Sequence, residues 1–254
     1  MVMSMRHAMI TAGTKGLGLK VTEAFLAAGY RVTVTYLSDE ERAKALMETW
    51  GEHRVHIVQA DVTKRDDCKQ LVDAARSFAG RMDVFIHNAG PYVFEKKKLI
   101  DYSESEWNDM IDGNLTSSFH LLKEVVPIMR EQQFGRIVFY GFQGANNAPG
   151  WIYRSAYAAA KVGLVSLMKT ISIEEAAYGI TANMVCPGNI MGEMKEATIA
   201  EARQHSDHNT PIGRSGTGED IARTVMFLCE DNADMVTGTV VEVTGGVDVI
   251  HRYR

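Results

Sequence analysis

The chain is poor in cysteine, has no excess of basic charge and has no long uninterrupted apolar run. Its three cysteines, Cys68, Cys186 and Cys229, show neither CxxC nor metal-ligand spacing. No metal site is therefore expected, a disulfide scaffold is excluded, and a reducing compartment fits. Cys186 and Cys229 lie within apolar runs and read as small core residues. With 32 Asp and Glu against 27 Lys and Arg, the formal charge is -5. That balance argues against a nucleic-acid partner, which needs basic groups to replace counterions. One basic run stands out, Glu95-Lys96-Lys97-Lys98. It reads either as a solvated loop or as a contact for an anionic substrate or carrier. The N-terminal stretch carries Arg6 and lacks the apolar centre of a secretory signal. No segment reads as a membrane span, so a cytoplasmic location is expected.

What is present is alternation. Apolar runs at residues 7–12, 31–36, 55–60, 84–87, 136–140, 181–186 and 239–243 read as strands. Amphipathic stretches at 17–28, 40–50, 65–79, 104–129, 156–178 and 219–229 read as helices. Ser103 with Glu106 has the capping-box pattern, and Thr63 precedes a stretch that puts carboxylates at a helix start. Gly29, Gly80 and Gly179 sit where helices should stop. The pattern implies an α/β, doubly wound Rossmann-type fold: seven parallel strands with helices on both faces. No linker or repeat interrupts it, so residues 1–254 are expected to form one domain. Residues 189–217 lack strand signal, and loops of that length often cover a site.

The first strand runs through Thr11-Ala12-Gly13-Thr14-Lys15-Gly16-Leu17-Gly18 into a helix. Glycines there let backbone approach a pyrophosphate, and the helix N-terminus offers free N–H groups. Further on, Tyr157 and Lys161 are four residues apart, on one face of a helix. A free tyrosine has a pKa of about 10, and a nearby ammonium favours its phenolate. Such a pair can exchange protons with a reacting oxygen.

On these motifs the chain resembles the short-chain dehydrogenase/reductase family, and the resemblance spans nearly all of it. Ala12 stands at the family's first glycine, while Gly16 and Gly18 are in register. The resemblance implies a nicotinamide cofactor held by Gly13, Thr14, Lys15, Gly16, Leu17 and Gly18. It also implies Asp61 and Val62 at the adenine, Asn88, Ala89 and Gly90 along the cofactor, and Pro187, Gly188 and Ile190 at the nicotinamide. Tyr36 ends the second strand where an acidic residue would repel a 2′-phosphate. With Lys15 nearby, NADP(H) is favoured over NAD(H), although Asp39 and Glu40 keep NAD(H) open. Gly192 replaces a common threonine, which removes one cofactor hydrogen bond. His87 replaces the first asparagine of the Asn-Asn-Ala-Gly motif and reads as a buried strand residue.

The implied catalytic residues are Tyr157, Lys161 and Asn114, the last bending the long helix there and holding a relay water; the plainer alternative is a simple kink after Gly113. The family's carbonyl-binding serine is missing: strand alignment puts Phe142 there, and strict spacing puts Gly144 there. Losing such a donor costs about 3–4 kcal/mol of transition-state stabilisation. Gln143 is the best replacement by chemistry, with Tyr140 and Ser155 behind it. The expected activity is carbonyl reduction, closest in tone to 3-oxoacyl-acyl-carrier-protein reductases, with acyl carrier protein as the implied partner. Pteridine reductases resemble the chain in replacing the serine. The alternative outside catalysis is a cofactor-binding sensor or partner subunit. Val236-Thr237-Gly238-Thr239 and Val243-Thr244-Gly245-Gly246 resemble the family's assembling C-terminal strand and turn, and the resemblance also pairs the long helices carrying Asn114 and Tyr157, implying a homotetramer.

Overall fold

A computed structural model describes residues 5–250. The strands are β1 (His7–Ile10), β2 (Arg31–Tyr36), β3 (Val55–Gln59), β4 (Val84–His87), β5 (Gly135–Tyr140), β6 (Ile180–Pro187) and β7 (Val240–Val243). The helices are α1 (Gly16–Ala27), α2 (Glu40–Trp50), α3 (Arg65–Ala79), α4 (Glu104–Ile111), α5 (Ser117–Gln132), α6 (Ser155–Glu174), α7 (Ile199–Ala202) and α8 (Gly218–Leu228). All seven strands join one sheet in the order β3-β2-β1-β4-β5-β6-β7, and every pairing is parallel. The order reverses between β1 and β4. At such a switch point the strand ends leave a crevice in which ligands bind.

The pleat divides the core. Met9, Phe85, Ile137, Phe139 and Met184 pack with Leu121, Val125, Leu164 and Met168 on the α5 and α6 side. Ala8, Ile10, Val84, Ile86, Val138 and Tyr140 pack with Phe25, Ile221 and Val225 on the α1 and α8 side. Successive side chains on a strand face opposite ways, so neighbours such as Phe139 and Tyr140 end in different layers. Each large apolar side chain buried this way stabilises the sheet by about 1.5–3 kcal/mol.

Several element ends differ from the sequence expectation, for local reasons. β1 stops at Ile10 because Ala12 takes a left-handed φ of 51° and turns the chain. The expected helix at 104–129 is broken: residues Asp112–Thr116 form a π turn between α4 and α5. A Cβ on Gly113 would lie 2.2 Å from Cδ of Pro91, so glycine admits the loop after β4 at that turn. α6 ends at Glu174, and a 3-10 turn (Ala176–Tyr178) leads to left-handed Gly179. The segment 189–217 holds a 3-10 turn (Gly192–Lys195) and α7, which is capped reciprocally by Thr198 and Glu201. Ser103 and Glu106 cap α4 in the same way, and Asp66 and Asp67 stand in the first turn of α3.

One helix departs from the hydropathy reading. α6 is long and apolar enough to cross a membrane by length and composition alone. Here it packs against the sheet, with Ala156, Ala160, Lys161, Leu164, Val165 and Met168 buried.

Candidate active site

The turn between β1 and α1 is held closed by three threonine hydroxyls and one amide. Thr35 Oγ1 accepts from the Ala12 N–H at 2.8 Å, and the Thr22 hydroxyl donates to Gly13 O at 2.9 Å. Thr11 Oγ1 accepts from both Asn88 N–H and Ala89 N–H. The Asn88 side-chain amide donates to the carbonyls of Thr11 and Ala12 at 3.1 Å each. A Cβ on Gly18 would stand 2.3 Å from Ala12 O and 2.6 Å from Asn88 Nδ2; one on Gly13 would meet Val34 Cγ1 at 2.7 Å. These two glycines therefore let helix, turn and β4 approach one another. Thr14 is buried below, Leu17 is half-buried in the first turn, and Lys15 is exposed at the rim.

A carboxylate already answers the first turn of α1. Glu196 Oε1 accepts from the Gly16 N–H at 2.7 Å, and Arg42 Nη1 and Nη2 donate to the two Glu196 oxygens at 2.9 and 2.7 Å. Burial pushes the Glu196 carboxyl up, but Arg42 and the Gly16 N–H outweigh it and hold it below the usual range. The sequence reading missed both residues. Arg42 lies in the first turn of α2, just beyond Tyr36 at the end of β2, and that position was its only signal.

The other walls follow the strand ends. Asp61 Oδ1 accepts from Thr63 N–H and hydroxyl, which holds its carboxyl below the usual range. The Val62 N–H beside it has no partner among the described residues. A Cβ on Gly90 would lie 2.4 Å from Asn114 Oδ1, so Gly90 is the close-approach residue of its motif. The Gly188 N–H donates to Val243 O, and Ile190 is buried against the α8 side of the core. Gly192 has a φ of 54° with nothing near its absent side chain.

α6 presents the Tyr157 ring and the Lys161 ammonium together, with Nζ 5.7 Å from the ring centroid. Lys161 is buried, and burial lowers its pKa from 10.5 to about 8. It makes no hydrogen bond among the described residues. Burial, with Tyr92 nearby, pushes the Tyr157 phenol above its ordinary value. Asn114 is buried in the π turn, and its Nδ2 donates to Pro91 O at 2.9 Å and Met110 O at 3.0 Å. Its Oδ1 is buried without a partner, beside Gly90. His87 is buried against Ser117 (Nε2 to Oγ 3.1 Å) with a pKa lowered to about 3 by burial and then by the Lys161 charge. It is a neutral strand residue.

Phe142 occupies the place beside Tyr157: it is buried, 4.9 Å from the Trp151 ring and 6.3 Å from the Tyr157 ring. Gln143 is turned elsewhere. Its Oε1 accepts from the Val249 N–H at 2.5 Å, which ties the end of β5 to the C-terminal tail. The geometry thus gives Gln143 a tethering contact and does not bring it to Tyr157. Tyr140 faces the opposite side of the sheet, and Ser155 Oγ is buried without a partner at the start of α6. Two residues unmarked in the sequence complete the site: Tyr92, whose ring lies 5.0 Å from Tyr157, and Arg154, which holds it. Among the described residues no cluster of His, Cys, Asp or Glu could hold a metal.

A nucleotide crevice at a switch point, a glycine turn and a buried Tyr–Lys pair define a nicotinamide-dependent α/β oxidoreductase. The family model described as enoyl-(acyl carrier protein) reductase matches residues 11–248. The chain belongs to the short-chain dehydrogenase/reductase family. It is 61% identical over 251 residues to a Bacillus subtilis (strain 168) protein provisionally named an oxidoreductase, YtkK, covering 98% of each chain. It is 34% identical over 245 residues to the 3-oxoacyl-[acyl-carrier-protein] reductase FabG of Staphylococcus epidermidis, covering 95% of this chain and 98% of that protein. A Bacillus thuringiensis structure provisionally described as a 3-oxoacyl-reductase is 65% identical and superposes with a TM-score of 0.91, covering 97% of this chain and all of that one. Levodione reductase, at 30% identity, superposes at 0.81, covering 95% of this chain and 96% of that one.

Proposed function

We propose that this enzyme reduces a carbonyl to a hydroxyl with NADPH, Tyr157 giving the proton. The observation that carries this reading is the Tyr157–Lys161 pair: a protonated phenol beside a buried ammonium that no group among the described residues satisfies. The residues fit the cofactor. Gly13 and Gly18 allow the close turn, Leu17 and Gly18 offer first-turn N–H groups, and the Val62 N–H is free for the adenine. Gly16, Thr14 and Lys15 complete the turn, Pro187, Gly188 and Ile190 back the nicotinamide, and Lys161 suits ribose hydroxyls. When bound, the reduced nicotinamide supplies a hydride.

The chain's own residues then handle the oxygen. As the carbonyl carbon gains the hydride, the C=O π pair moves to oxygen, which takes the Tyr157 proton. Burial keeps the phenol protonated before the cofactor binds, so Tyr157 starts the reduction carrying the proton it gives. The Lys161 charge steadies the phenolate that remains. Asn114 Oδ1, buried and unpartnered, suits a water through which Tyr157 regains its proton.

NADP(H) is favoured because Tyr36, not a carboxylate, ends β2, and because Arg42 and Lys15 stand at the rim. The named relatives support a 3-oxoacyl thioester substrate. Lys96 and Lys98 are exposed, without ion pairs among the described residues, on the loop that carries Tyr92. That suits an acidic acyl carrier protein. The exposed apolar side chains of Phe119 on α5 and Ile173 on α6 support a tetramer paired through these helices. A cytoplasmic single-domain enzyme is the corresponding whole.

The test is NADPH oxidation against acetoacetyl-CoA and a panel of ketones and quinones, with Tyr157→Phe as control. Turnover lost by at least a hundredfold in Tyr157→Phe is the expected result. Tight NADPH binding with no turnover by the native protein on any carbonyl would instead support a cofactor-binding sensor, the reading that Phe142 at the serine position favours.

A further inference from the structure

Tyr157 alone gives the substrate oxygen one protein donor, because Phe142 stands where a serine hydroxyl would be. We infer that Tyr92 supplies the second donor and that Arg154 is its positioning residue; this rests on the carbonyl-reduction reading above.

The loop carrying Tyr92 is pinned on both sides of the site. On one side Pro91 lies against Gly113, and Pro91 O accepts from the side chain of Asn114. On the other side Arg154, just before α6, gathers the loop. Its Nη1 donates to Glu95 O at 2.7 Å and Tyr153 O at 2.8 Å, its Nη2 to Phe94 O at 3.0 Å, and its Nε to Tyr92 Oη at 2.9 Å. The guanidinium carbon also lies 5.1 Å from the centre of the Tyr92 ring. Tyr153 takes a left-handed φ of 64° to bring Arg154 there, an arrangement that costs a non-glycine residue about 1–2 kcal/mol. The result is a Tyr92 ring 5.0 Å from the Tyr157 ring and nearly perpendicular to it, at 87°.

The direction of the hydrogen bond decides what Tyr92 can do. A guanidinium has donors only, so the Tyr92 oxygen must accept from Arg154. Its own proton is then turned away from Arg154, and no acceptor among the described residues takes it. A phenol whose oxygen accepts from a cation is also a stronger donor through its own O–H. During reduction Tyr92 keeps its proton and only hydrogen-bonds the oxygen on which charge builds, while Tyr157 transfers its own. Phe142, Trp151 and the two tyrosine rings pack into one aromatic cluster, and in such apolar surroundings a preorganised donor is worth most.

The experiment measures kcat and KM for acetoacetyl-CoA, or for a naphthoquinone if that is the carbonyl turned over, in Tyr92→Phe, Arg154→Met and the double variant. Tyr92→Phe keeps the ring and removes the hydroxyl. A fall in kcat of about 10²-fold is expected, with KM changed less than about threefold, as for one lost oxyanion donor. Arg154→Met should lose most of that factor, and the double variant should lose no more than Tyr92→Phe, because both changes remove one donor. Unchanged kcat in Tyr92→Phe, or effects that simply multiply in the double variant, overturns the assignment. Full turnover in Tyr157→Phe, or none in the native enzyme on any carbonyl, overturns the reduction reading itself and this inference with it. NADPH affinity and thermal midpoint, unchanged in Tyr92→Phe, separate a lost donor from a damaged fold.

Discussion

Arg42 grips both carboxylate oxygens of Glu196, at 2.9 and 2.7 Å, while one of those oxygens also accepts from the Gly16 N–H. A carboxylate in that place satisfies the N–H and guanidinium groups that a phosphate would use. On the proposed cofactor placement, its phosphates and Glu196 would compete for these groups. Glu196→Gln weakens the grip, and NADPH should bind several-fold tighter by fluorescence titration. Arg42→Ala should weaken NADPH by about tenfold or less, since the pair is part-exposed and screened. NADH should change little. Equal loss for both cofactors would mean that Arg42 only fastens the segment carrying Glu196.

Ala12 holds a φ of 51° at the position where the family resemblance places a glycine. Its carbonyl and N–H are both engaged, by Asn88 and Thr35, so the turn cannot relax without losing them. A left-handed non-glycine residue costs about 1–2 kcal/mol, and glycine recovers this at the expense of about 0.4–1 kcal/mol of unfolded-chain entropy. Ala12→Gly should raise the urea midpoint, by up to about 1 kcal/mol of stability, without weakening NADPH. A clear destabilisation would show that the methyl group packs usefully and the turn is not strained.

The sheet was legible because each strand is a short apolar run and each crossover an amphipathic stretch of helical length. The Tyr157–Lys161 pair was legible for a related reason: its partners are one helical turn apart. What escaped notice depends on residues far apart in the chain. The π turn falls where the resemblance bends the helix, at Asn114, but the contact of Pro91 with Gly113 that it admits joins distant parts of the chain. Arg42 and Glu196 are 154 positions apart, and Tyr92 and Arg154 are 62 apart. Loop length left Phe142 and Gly144 as rival occupants of the serine position. In the structure Phe142 packs on Trp151 beside Tyr157, and Gln143 is tied to Val249.

Two buried histidines should make the enzyme acid-sensitive. His7, held by Arg81 O and the Thr33 hydroxyl, has its pKa lowered to about 4 by burial; His87 has its own lowered to about 3. Both are neutral when folded and protonated near pH 6.5 when unfolded. Below that pH the unfolded chain binds more protons, so stability falls as pH drops from about 6.5 toward 4. Each histidine contributes a slope of about 1.4 kcal/mol per pH unit there. Urea unfolding at a series of pH values should show it, and His87→Gln should flatten it by about one proton. An unchanged slope would mean that His87 does not stay neutral in the folded state.

Lys161 gives a signature on the alkaline side. Its pKa is lowered to about 8, so the free enzyme loses this charge as pH rises past about 8. Burial pushes the Tyr157 phenol upward, away from this range. On the proposed mechanism reduction needs the ammonium, so kcat/KM for NADPH should fall about tenfold per pH unit above pH 8, since this ratio reports free-enzyme groups. Stability should move the other way. Between about pH 8 and the ordinary lysine value the unfolded chain holds the proton and the folded one does not, so folding stability rises with pH. Activity lost while the urea midpoint holds or rises therefore points to Lys161 and not to alkaline unfolding. Lys161→Arg keeps its charge throughout, and whatever turnover it retains should lose the limb near pH 8. Persistence of that limb in Lys161→Arg would assign it to another group.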